Sequence, residues 1–471
     1  MLAAFAFRIS LQLFGWDALK AAYQRTQNVP VELSARGKSA YILMRALSLL
    51  YPLDRVVGRV KKARKVVTAF GRAKLDLETH RVFDLPAVAI RLDRPPSINV
   101  LVPAFSIDTI SAGFFGVFAF AQFCARSGYH TRLVLFENFY FDIETFRKSL
   151  QRYPIFANLL NEVELAYVGS RYKPLLVSDR DISVATVWYS AYFAEKIRKL
   201  CGAKHFLYLV QDYEPAFHPQ NSAFVLADNS YALPSIPWFS TEPLQKFFEG
   251  SGLYLGSEWK DWCIYNNACS TSSDVEKALA SKRNSLERNF VFYCRPEVNR
   301  NLFHLGALAI IKAFEEGVFE DGCNWQFYGI GIGDVEIYLD AASKLSQLPR
   351  MSLEDYQAKI GRFDVGLSLM ASPHPSLVPF DLAGSGALVV TNSFRTKTKE
   401  YFSKISENVV CVEPNLDAIV AGIREAVGLS GDIDRRLAGA NISFPKAWSE
   451  TWTPRHKDFL ERNVRSAFSD Q

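Results

Sequence analysis

Short apolar runs recur along most of the chain, and each is followed by polar or helix-forming residues. Predominantly apolar runs of this length are typical of strands buried on both faces of a parallel sheet. Five runs make up a first series, at residues 98–105, 130–136, 163–169, 182–188 and 205–211. Five more make up a second series, at residues 289–296, 324–331, 363–370, 386–392 and 408–414.

The strand–helix alternation of both series predicts an α/β protein with two doubly wound, Rossmann-like domains that face a cleft. We place the first domain at residues 96–255 and the second at residues 256–444. Residues 1–95 are expected to form a basic helical extension, and residues 445–471 a final helix. Ligands of such open sheets bind at the carboxyl ends of the strands, so the site residues are expected there.

Two arginines and two glycines follow strand ends in the second domain. Arg295 and Arg300 come at the start of a helix, where guanidinium groups and the helix N-terminus suit a diphosphate. Gly329 and Gly331 end the next run, and glycine lets a backbone approach a ligand closely. Each feature alone is also compatible with a solvated loop or a tight turn.

The stretch SPHPSLVPFDLAGSGALVVTN, at residues 372–392, joins two of the predicted strands. Its prolines and glycines predict a loop and a short helix that ends at Gly386, directly before a buried strand. Asp381 lies on the short helix, where a carboxylate can accept hydrogen bonds from two ribose hydroxyls. The alternative is that Asp381 is a detail of the fold.

These features, in this order, resemble the nucleotide-sugar domain of GT-B glycosyltransferases of the family 4 type. Arg295 and Arg300 match the spacing of an Arg–Lys pair that holds the diphosphate in that family, with Arg in place of Lys. Asp381 matches a glutamate that contacts the ribose, whereas Pro373 stands where the family has a further glutamate. Because proline cannot replace the glutamate, polar residues near Pro373 are expected to contact the sugar instead.

The nearby candidates for that sugar contact are polar residues of the loop: Ser372, His374 and Ser376. Four stretches, LVQDYEPAFHPQNSAFVLADNSY, FYCRP, SLEDYQAKI and GLSLMASPHPS, resemble bacterial rhamnosyltransferases that build cell-surface rhamnan chains. This resemblance spans roughly residues 97 to 450. It implies transfer of rhamnose from dTDP-rhamnose to a hydroxyl of a growing glycan or of a lipid-linked glycan.

On this resemblance the first domain holds the acceptor, and a glycine loop with Gly113 and Phe114 approaches the donor phosphates and the acceptor. The alternative for this loop is a plain turn. A polar cluster that suits sugar hydroxyls follows the run at 205–211, with Gln211, Asp212, Tyr213, Glu214 and His218. If the enzyme inverts the anomeric centre, it needs a base, and Asp212, Glu214 and His218 are the candidates. If it retains the configuration, the leaving phosphate can take the acceptor proton, and the sequence does not choose between the two.

The sequence Asp179-Arg180-Asp181 is a DxD motif, but it precedes a strand, so we interpret it as accidental. We predict neither a metal ion nor a cofactor, because Arg295 and Arg300 would balance the diphosphate charge. Two alternatives stay open: a nucleotide-sugar epimerase of the same architecture, and a non-catalytic glycan-binding or scaffold protein.

Charge is concentrated near the N-terminus. Residues 1–80 contain fourteen Lys and Arg against five Asp and Glu, whereas the whole chain has a net charge of +5. This segment predicts either a helical extension packed on the body or a surface for anionic lipid, with nucleic acid disfavoured because no motif accompanies the charge. Seven scattered cysteines without a CxxC pair, and no long apolar run or signal peptide, predict a cytoplasmic protein or one peripheral to the inner face of the membrane.

Overall fold

The computed structural model describes residues 77–105, 112–139, 141–252, 261–332, 335–341 and 343–468. These residues belong to one compact unit that begins at Leu77. The predictions for residues 1–76 lie outside the described residues. Among the described helices, none has the length and apolar character needed to cross a membrane.

The strands of the described residues are β1 Val88–Ile90, β2 Ile98–Val102, β3 Thr131–Leu135, β4 Glu164–Tyr167, β5 Leu175–Val177, β6 Ile182–Ala185, β7 Phe206–Val210, β8 Ser235–Ser240, β9 Cys263–Tyr265, β10 Glu287–Cys294, β11 Asn324–Gly331, β12 Ile337–Tyr338, β13 Lys344–Gln347, β14 Val365–Leu367, β15 Leu388–Asn392 and β16 Val409–Val412. The helices are α1 Leu77–His80, α2 Ala112–Arg126, α3 Ile143–Leu150, α4 Leu159–Glu162, α5 Trp188–Cys201, α6 Ser222–Ser230, α7 Glu242–Gly250, α8 Val275–Ala280, α9 Phe303–Glu315, α10 Leu353–Ile360, α11 Val378–Ala383, α12 Lys399–Ser403, α13 Leu416–Leu429, α14 Ile433–Gly439, α15 Trp448–Thr451 and α16 Pro454–Ser466.

Two seven-stranded sheets carry the fold. The first has the order β4-β3-β2-β6-β7-β8-β9, with parallel neighbours throughout. The second has the order β12-β13-β11-β10-β14-β15-β16, in which the edge pair β12–β13 is antiparallel and the other pairs are parallel. The strand order reverses between β2 and β6 in the first sheet and between β10 and β14 in the second. These two positions are the topological switch points at which such sheets bind ligands.

The ten predicted strands are confirmed, because each has its counterpart in one of the two sheets. Six of them, β2, β3, β6, β7, β14 and β15, are buried along their whole length. Val100 and Val102 of β2 pack into the core on one face of the first sheet. Leu101, between them, packs into the core on the opposite face. The second sheet likewise separates two cores. Helices cover both faces, so the strands do not alternate between apolar and polar residues.

Several strands were absent from the sequence prediction. Pro237 lies inside β8 and pairs with Tyr208, although a proline in a run argues against a central strand. The first sheet continues to β9, beyond the boundary that we placed at residue 255. β1 lies in the segment predicted as a helical extension, and it pairs in parallel with β5. Tertiary pairing therefore outweighs the local pattern in these three strands.

The C-terminal helix α16 returns to the first domain. Lys204 donates its backbone N–H to the carbonyl of Ala467 at 2.9 Å, and a ring nitrogen of His205 lies 2.9 Å from the carbonyl of Asn463. The chain thus crosses between the domains twice, once after β9 and once before α15. The two crossing segments are joined by a hydrogen bond from the backbone N–H of Cys269 to the carbonyl of Pro445, at 2.9 Å.

Asp181 of the DxD motif belongs to a buried ion pair at the starts of β2, β3 and β6. Asp181 accepts hydrogen bonds from Arg132 at 2.6 Å, from the Asn99 side chain at 2.9 Å and from the Ser97 backbone at 2.8 Å. Asp181 therefore holds the start of β6 against β2 and β3. Within the described residues, no group of three or more His, Cys, Asp or Glu is arranged to hold a metal ion.

Candidate functional site

The carboxyl ends of the two sheets meet across a polar contact zone. From the first domain it includes the loops after β7 and β8, and from the second the loops after β10, β14 and β15. The loops after β10 and β14 flank the switch point of the second sheet, so their side chains lie where a ligand of that sheet would bind.

Asp212, directly after β7, joins the domains. Its carboxylate accepts a hydrogen bond from the hydroxyl of Ser372, in the loop after β14. It also lies 3.4 Å from Nε of Arg300, in the loop after β10. Asp212 and Ser372 are both buried. The structure thus brings predicted residues of both domains together, with Asp212 at the centre.

His374 makes a second contact between the domains. Its Nδ1 accepts a hydrogen bond from the backbone N–H of Ser376 at 3.0 Å, so Nε2 carries the proton and faces the hydroxyl of Ser240 at 3.3 Å. Burial lowers the pKa of His374 to about 4, so the ring is neutral at physiological pH. Ser376 has a φ of 67°, a left-handed conformation that turns its N–H back toward the ring.

A buried lysine that the sequence analysis missed supports the same loop. The Nζ of Lys397 donates to the carbonyl of Met370 at 2.7 Å, and Asn392 brackets Met370 with hydrogen bonds to its N–H and its carbonyl. Lys397 is fully buried, and burial lowers its pKa to about 7. The sequence offers Lys397 and Lys399 in the same polar stretch, and no local pattern distinguishes the buried lysine from its neighbour.

The predicted glycines Gly329 and Gly331 lie in β11, where they leave room for neighbouring strands of the second sheet. Gly331 pairs with Cys294 at the end of β11 and has a φ of 133°. A Cβ at Gly331 would lie 2.0 Å from the carbonyl oxygen of Cys294, so only glycine fits. Gly329 lies inside β11 against Gln347 and Leu345. Arg295 follows Cys294 directly, and its Nη1 lies 3.4 Å from the hydroxyl of Tyr293.

Asp381 is buried on α11, and both of its carboxylate oxygens have protein partners. One accepts a hydrogen bond from the backbone N–H of Ser270, in the segment that joins the domains, at 2.5 Å. The other accepts from the hydroxyl of Tyr356 on α10, at 3.2 Å. Burial raises the pKa of Asp381 to about 7. Asp381 thus ties α10 and α11 to the linker, and contact with a ribose remains a prediction.

Glu214 and His218 lie behind Asp212 around the start of α5. The Glu214 carboxylate accepts a hydrogen bond from the backbone N–H of Trp188, the first residue of α5, at 2.5 Å. Because that N–H has no partner inside the helix, Glu214 fulfils a capping role. The ring of His218 packs edge-on against Trp188, with 5.8 Å between centroids. Their predicted role as a base remains a prediction.

Glu214 should make stability depend on pH. Burial, with a smaller contribution from nearby Asp212, raises its pKa to about 8. The folded protein therefore binds this proton more tightly than the unfolded chain, whose glutamates titrate near about 4.3. The stabilising effect is complete below pH 4 and is lost as the pH rises through 8.

We expect Glu214→Gln, which cannot ionise, to gain melting temperature relative to the wild type as the pH is raised from 5 to 8.5. Thermal unfolding across this range measures the difference, with the exposed Glu249→Gln as the control. Parallel profiles for the wild type and Glu214→Gln would show that Glu214 has an ordinary pKa.

The remaining predicted residues of the first domain lie in two places. A Cβ on Gly113, in the first turn of α2, would lie 3.4 Å from the side-chain oxygen of Gln211, so these two residues are neighbours at the strand ends. Phe114 packs on Phe105, with 5.2 Å between ring centroids. Tyr213 donates its hydroxyl to Asp228 at 3.1 Å, so it braces α6.

Two Rossmann-like sheets that meet at their carboxyl ends, with a C-terminal helix returning to the first, define the GT-B fold of glycosyltransferases. Similar solved structures agree. Sucrose-phosphate synthase from Thermosynechococcus elongatus matches with a TM-score of 0.50 and 10% identity, over 80% of this chain and 100% of that one. Anabaena HepE in complex with UDP and glucose matches with a TM-score of 0.50 and 10% identity, over 79% of this chain and 100% of that one.

The sequence also matches two family models from a single family. Residues 97–242 match the N-terminal domain of WsaF, and residues 288–424 match its C-terminal domain. Together the two matches cover more than half of the chain, which therefore belongs to the WsaF family. A curated relative, the O-antigen biosynthesis protein RfbC of Myxococcus xanthus, is 30% identical over 270 residues, or 56% of this chain. The match covers 19% of RfbC, so this chain corresponds to about a fifth of that protein.

Proposed function

We propose that the protein is a glycosyltransferase that moves a sugar from a nucleoside diphosphate donor to a hydroxyl of a growing cell-surface glycan. The observation that carries the proposal is the meeting of Asp212, Ser372 and Arg300 across the contact zone between the two sheets. A group-transfer enzyme must hold the donor and the acceptor together, and this zone combines the switch point of one sheet with the strand ends of the other.

Arg295 and Arg300 are the proposed diphosphate ligands. Breaking the bond to the anomeric carbon leaves a nucleoside diphosphate that carries the developing negative charge. Guanidinium groups that are already in place stabilise this charge without further reorganisation, and their planar forks match phosphate oxygens. Arg295 lies at the carboxyl end of β10, and Arg300 lies in the 3₁₀ turn that follows. We propose that the two arginines fulfil this role without a metal ion.

Two of the three candidate bases, Asp212 and Glu214, differ clearly in their surroundings. Asp212 lies at the centre of the contact zone, whereas the carboxyl group of Glu214 is occupied by the N-terminus of α5 and retains its proton at neutral pH. Asp212 is therefore our preferred candidate if the reaction inverts the anomeric centre. If the reaction retains the configuration, the leaving phosphate takes the acceptor proton and Asp212 orients the acceptor.

We propose rhamnose, supplied as dTDP-rhamnose, as the transferred sugar. Support comes from the sequence motifs described above, which resemble those of bacterial rhamnosyltransferases. The name of the relative RfbC, an O-antigen biosynthesis protein, supports a polysaccharide acceptor. We further propose that the basic residues within positions 1–80 contact an anionic membrane, which salt-sensitive co-sedimentation with anionic liposomes would test.

A panel of nucleotide sugars tests the proposal. Purified protein is incubated with dTDP-rhamnose, UDP-glucose and GDP-mannose, each with and without a rhamnan oligosaccharide, and with EDTA in a parallel reaction. We expect the oligosaccharide to gain one sugar from dTDP-rhamnose, with no loss in EDTA. Conversion of a donor in the absence of acceptor would indicate an epimerase, and failure to turn over or bind any nucleotide would contradict the proposal.

A further inference from the structure

Arg300 belongs to the second domain, but its guanidinium group is held by the first. Phe217 ends the 3₁₀ turn Glu214–Phe217 after β7, and the Cζ atom of Arg300 lies 4.2 Å from the centroid of its ring. Asp212, from the same loop, lies 3.4 Å from Nε of Arg300. The backbone of Arg300 is fixed separately within its own domain, because its carbonyl accepts a hydrogen bond from Ala371 at 2.7 Å.

The contacts leave the outer end of the guanidinium group available. Asp212 faces Nε and Phe217 faces the plane, whereas no described residue accepts a hydrogen bond from the two terminal amino groups. The side chain is 28% exposed, so these two groups can still be reached from outside. A guanidinium group in this state can offer two parallel N–H donors to a phosphate.

We propose that Phe217 is a positioning residue that clamps Arg300 in its phosphate-binding orientation from the acceptor domain. The proposal rests on the proposed function, since it takes Arg300 as a ligand of the donor diphosphate. A free arginine side chain samples many rotamers, and holding it in advance lowers the entropy lost on binding. Because the clamp comes from the opposite domain, Arg300 is fully ordered only when the domains are in contact. Donor capture is thereby coupled to the presence of the acceptor domain.

An aromatic ring is the specific requirement of this clamp. A leucine at position 217 keeps an apolar side chain but has no ring face to attract the cation, whereas a tyrosine keeps the ring. Phe217 is 39% exposed, so neither change should disturb the core. Phe83→Leu is the matched control, because Phe83 is exposed on the segment that precedes the first domain and has no arginine stacked on it in the described contacts.

Calorimetric titration with dTDP and UDP measures the effect on binding. We expect Phe217→Leu to weaken nucleotide binding by roughly three- to tenfold, the range of an exposed to partly desolvated cation–π contact. The KM for the donor should rise by a similar factor, and Phe217→Tyr should restore both values. Wild-type affinity in Phe217→Leu, or failure of Phe217→Tyr to restore it, would overturn the proposal.

A double-mutant cycle in thermal unfolding tests whether Phe217 holds Arg300, even if no nucleotide binds. It compares Phe217→Leu, Arg300→Met and the double variant with the wild type, without ligand. If the ring holds the guanidinium group, the two single changes are non-additive, since either one already removes the contact. Additive shifts in melting temperature would refute the clamp. If the two changes are non-additive but the wild type binds no nucleotide, the clamp stands and only the proposed function is refuted.

Discussion

Replacing Arg295 with alanine is expected to reduce kcat/KM for sugar transfer by at least about a hundredfold, the usual cost of removing one preorganised donor from a developing charge. Arg295 comes directly after β10 at the switch point of the second sheet, and the described polar contact of its side chain is a 3.4 Å approach to the hydroxyl of Tyr293. Because this contact contributes little to the fold, the melting temperature should stay within about 2 °C of the wild type. Steady-state kinetics with a saturating acceptor, together with thermal unfolding, measures both quantities.

Two further variants sharpen the Arg295 experiment. Arg295→Lys keeps the charge but loses the planar fork, so we expect intermediate activity. Arg283→Ala removes an exposed arginine of the same domain that pairs with Asp434, and it should leave the kinetics unchanged. Transfer by Arg295→Ala at more than half the wild-type rate would exclude Arg295 as a diphosphate ligand.

Among the substitutions proposed here, Asp364→Ala should cause the largest loss in the free energy of unfolding. This carboxylate is fully buried at the start of β14, where it lies 2.9 Å from Arg436 and 2.8 Å from Lys282. It also accepts a hydrogen bond from the backbone N–H of Asn289 at 2.8 Å. Its removal leaves two buried cations without a counter-charge, which costs about 3–5 kcal/mol. We expect the melting temperature to fall by roughly 10 °C.

Thermal unfolding by calorimetry and circular dichroism measures this loss. Asp364→Asn serves as a milder variant, since it removes the charge but keeps an oxygen for Asn289. The control is Asp434→Ala, which removes an exposed carboxylate paired with Arg283 and should change the melting temperature little. Equal effects of the Asp364 and Asp434 changes would mean that the buried cluster does not hold the second sheet together.

The sequence predicts the sheets better than it predicts the site. Ten strands are recognisable because strands covered on both faces are apolar without alternation, and this property is local. Strand β8, which contains Pro237, is not recognisable in this way, since its place between β7 and β9 depends on partners distant in sequence. The short strand β1 is missed for the same reason.

The site residues likewise divide into those that the sequence reveals and those that only the structure reveals. Arg295, Arg300 and Asp212 are visible in the sequence because each follows a strand, and the carboxyl ends of parallel strands share one edge of a sheet. Their mutual distances are not visible. Lys397 and Phe217 are ordinary residues of polar loops in the sequence, and they become important only through a buried carbonyl and an opposing arginine.

The sequence by itself therefore determined the fold class, the two-domain order and the loops from which a site is built, because apolar runs and turn chemistry are set by a few neighbouring residues. Tertiary structure alone decided which of these side chains meet. It placed Asp212 between Ser372 and Arg300, and it placed Glu214 at the N-terminus of α5. It also turned Asp381 toward the linker and Tyr356. The physical reason is that contacts between domains depend on the relative placement of two sheets, which no local pattern in either sheet encodes.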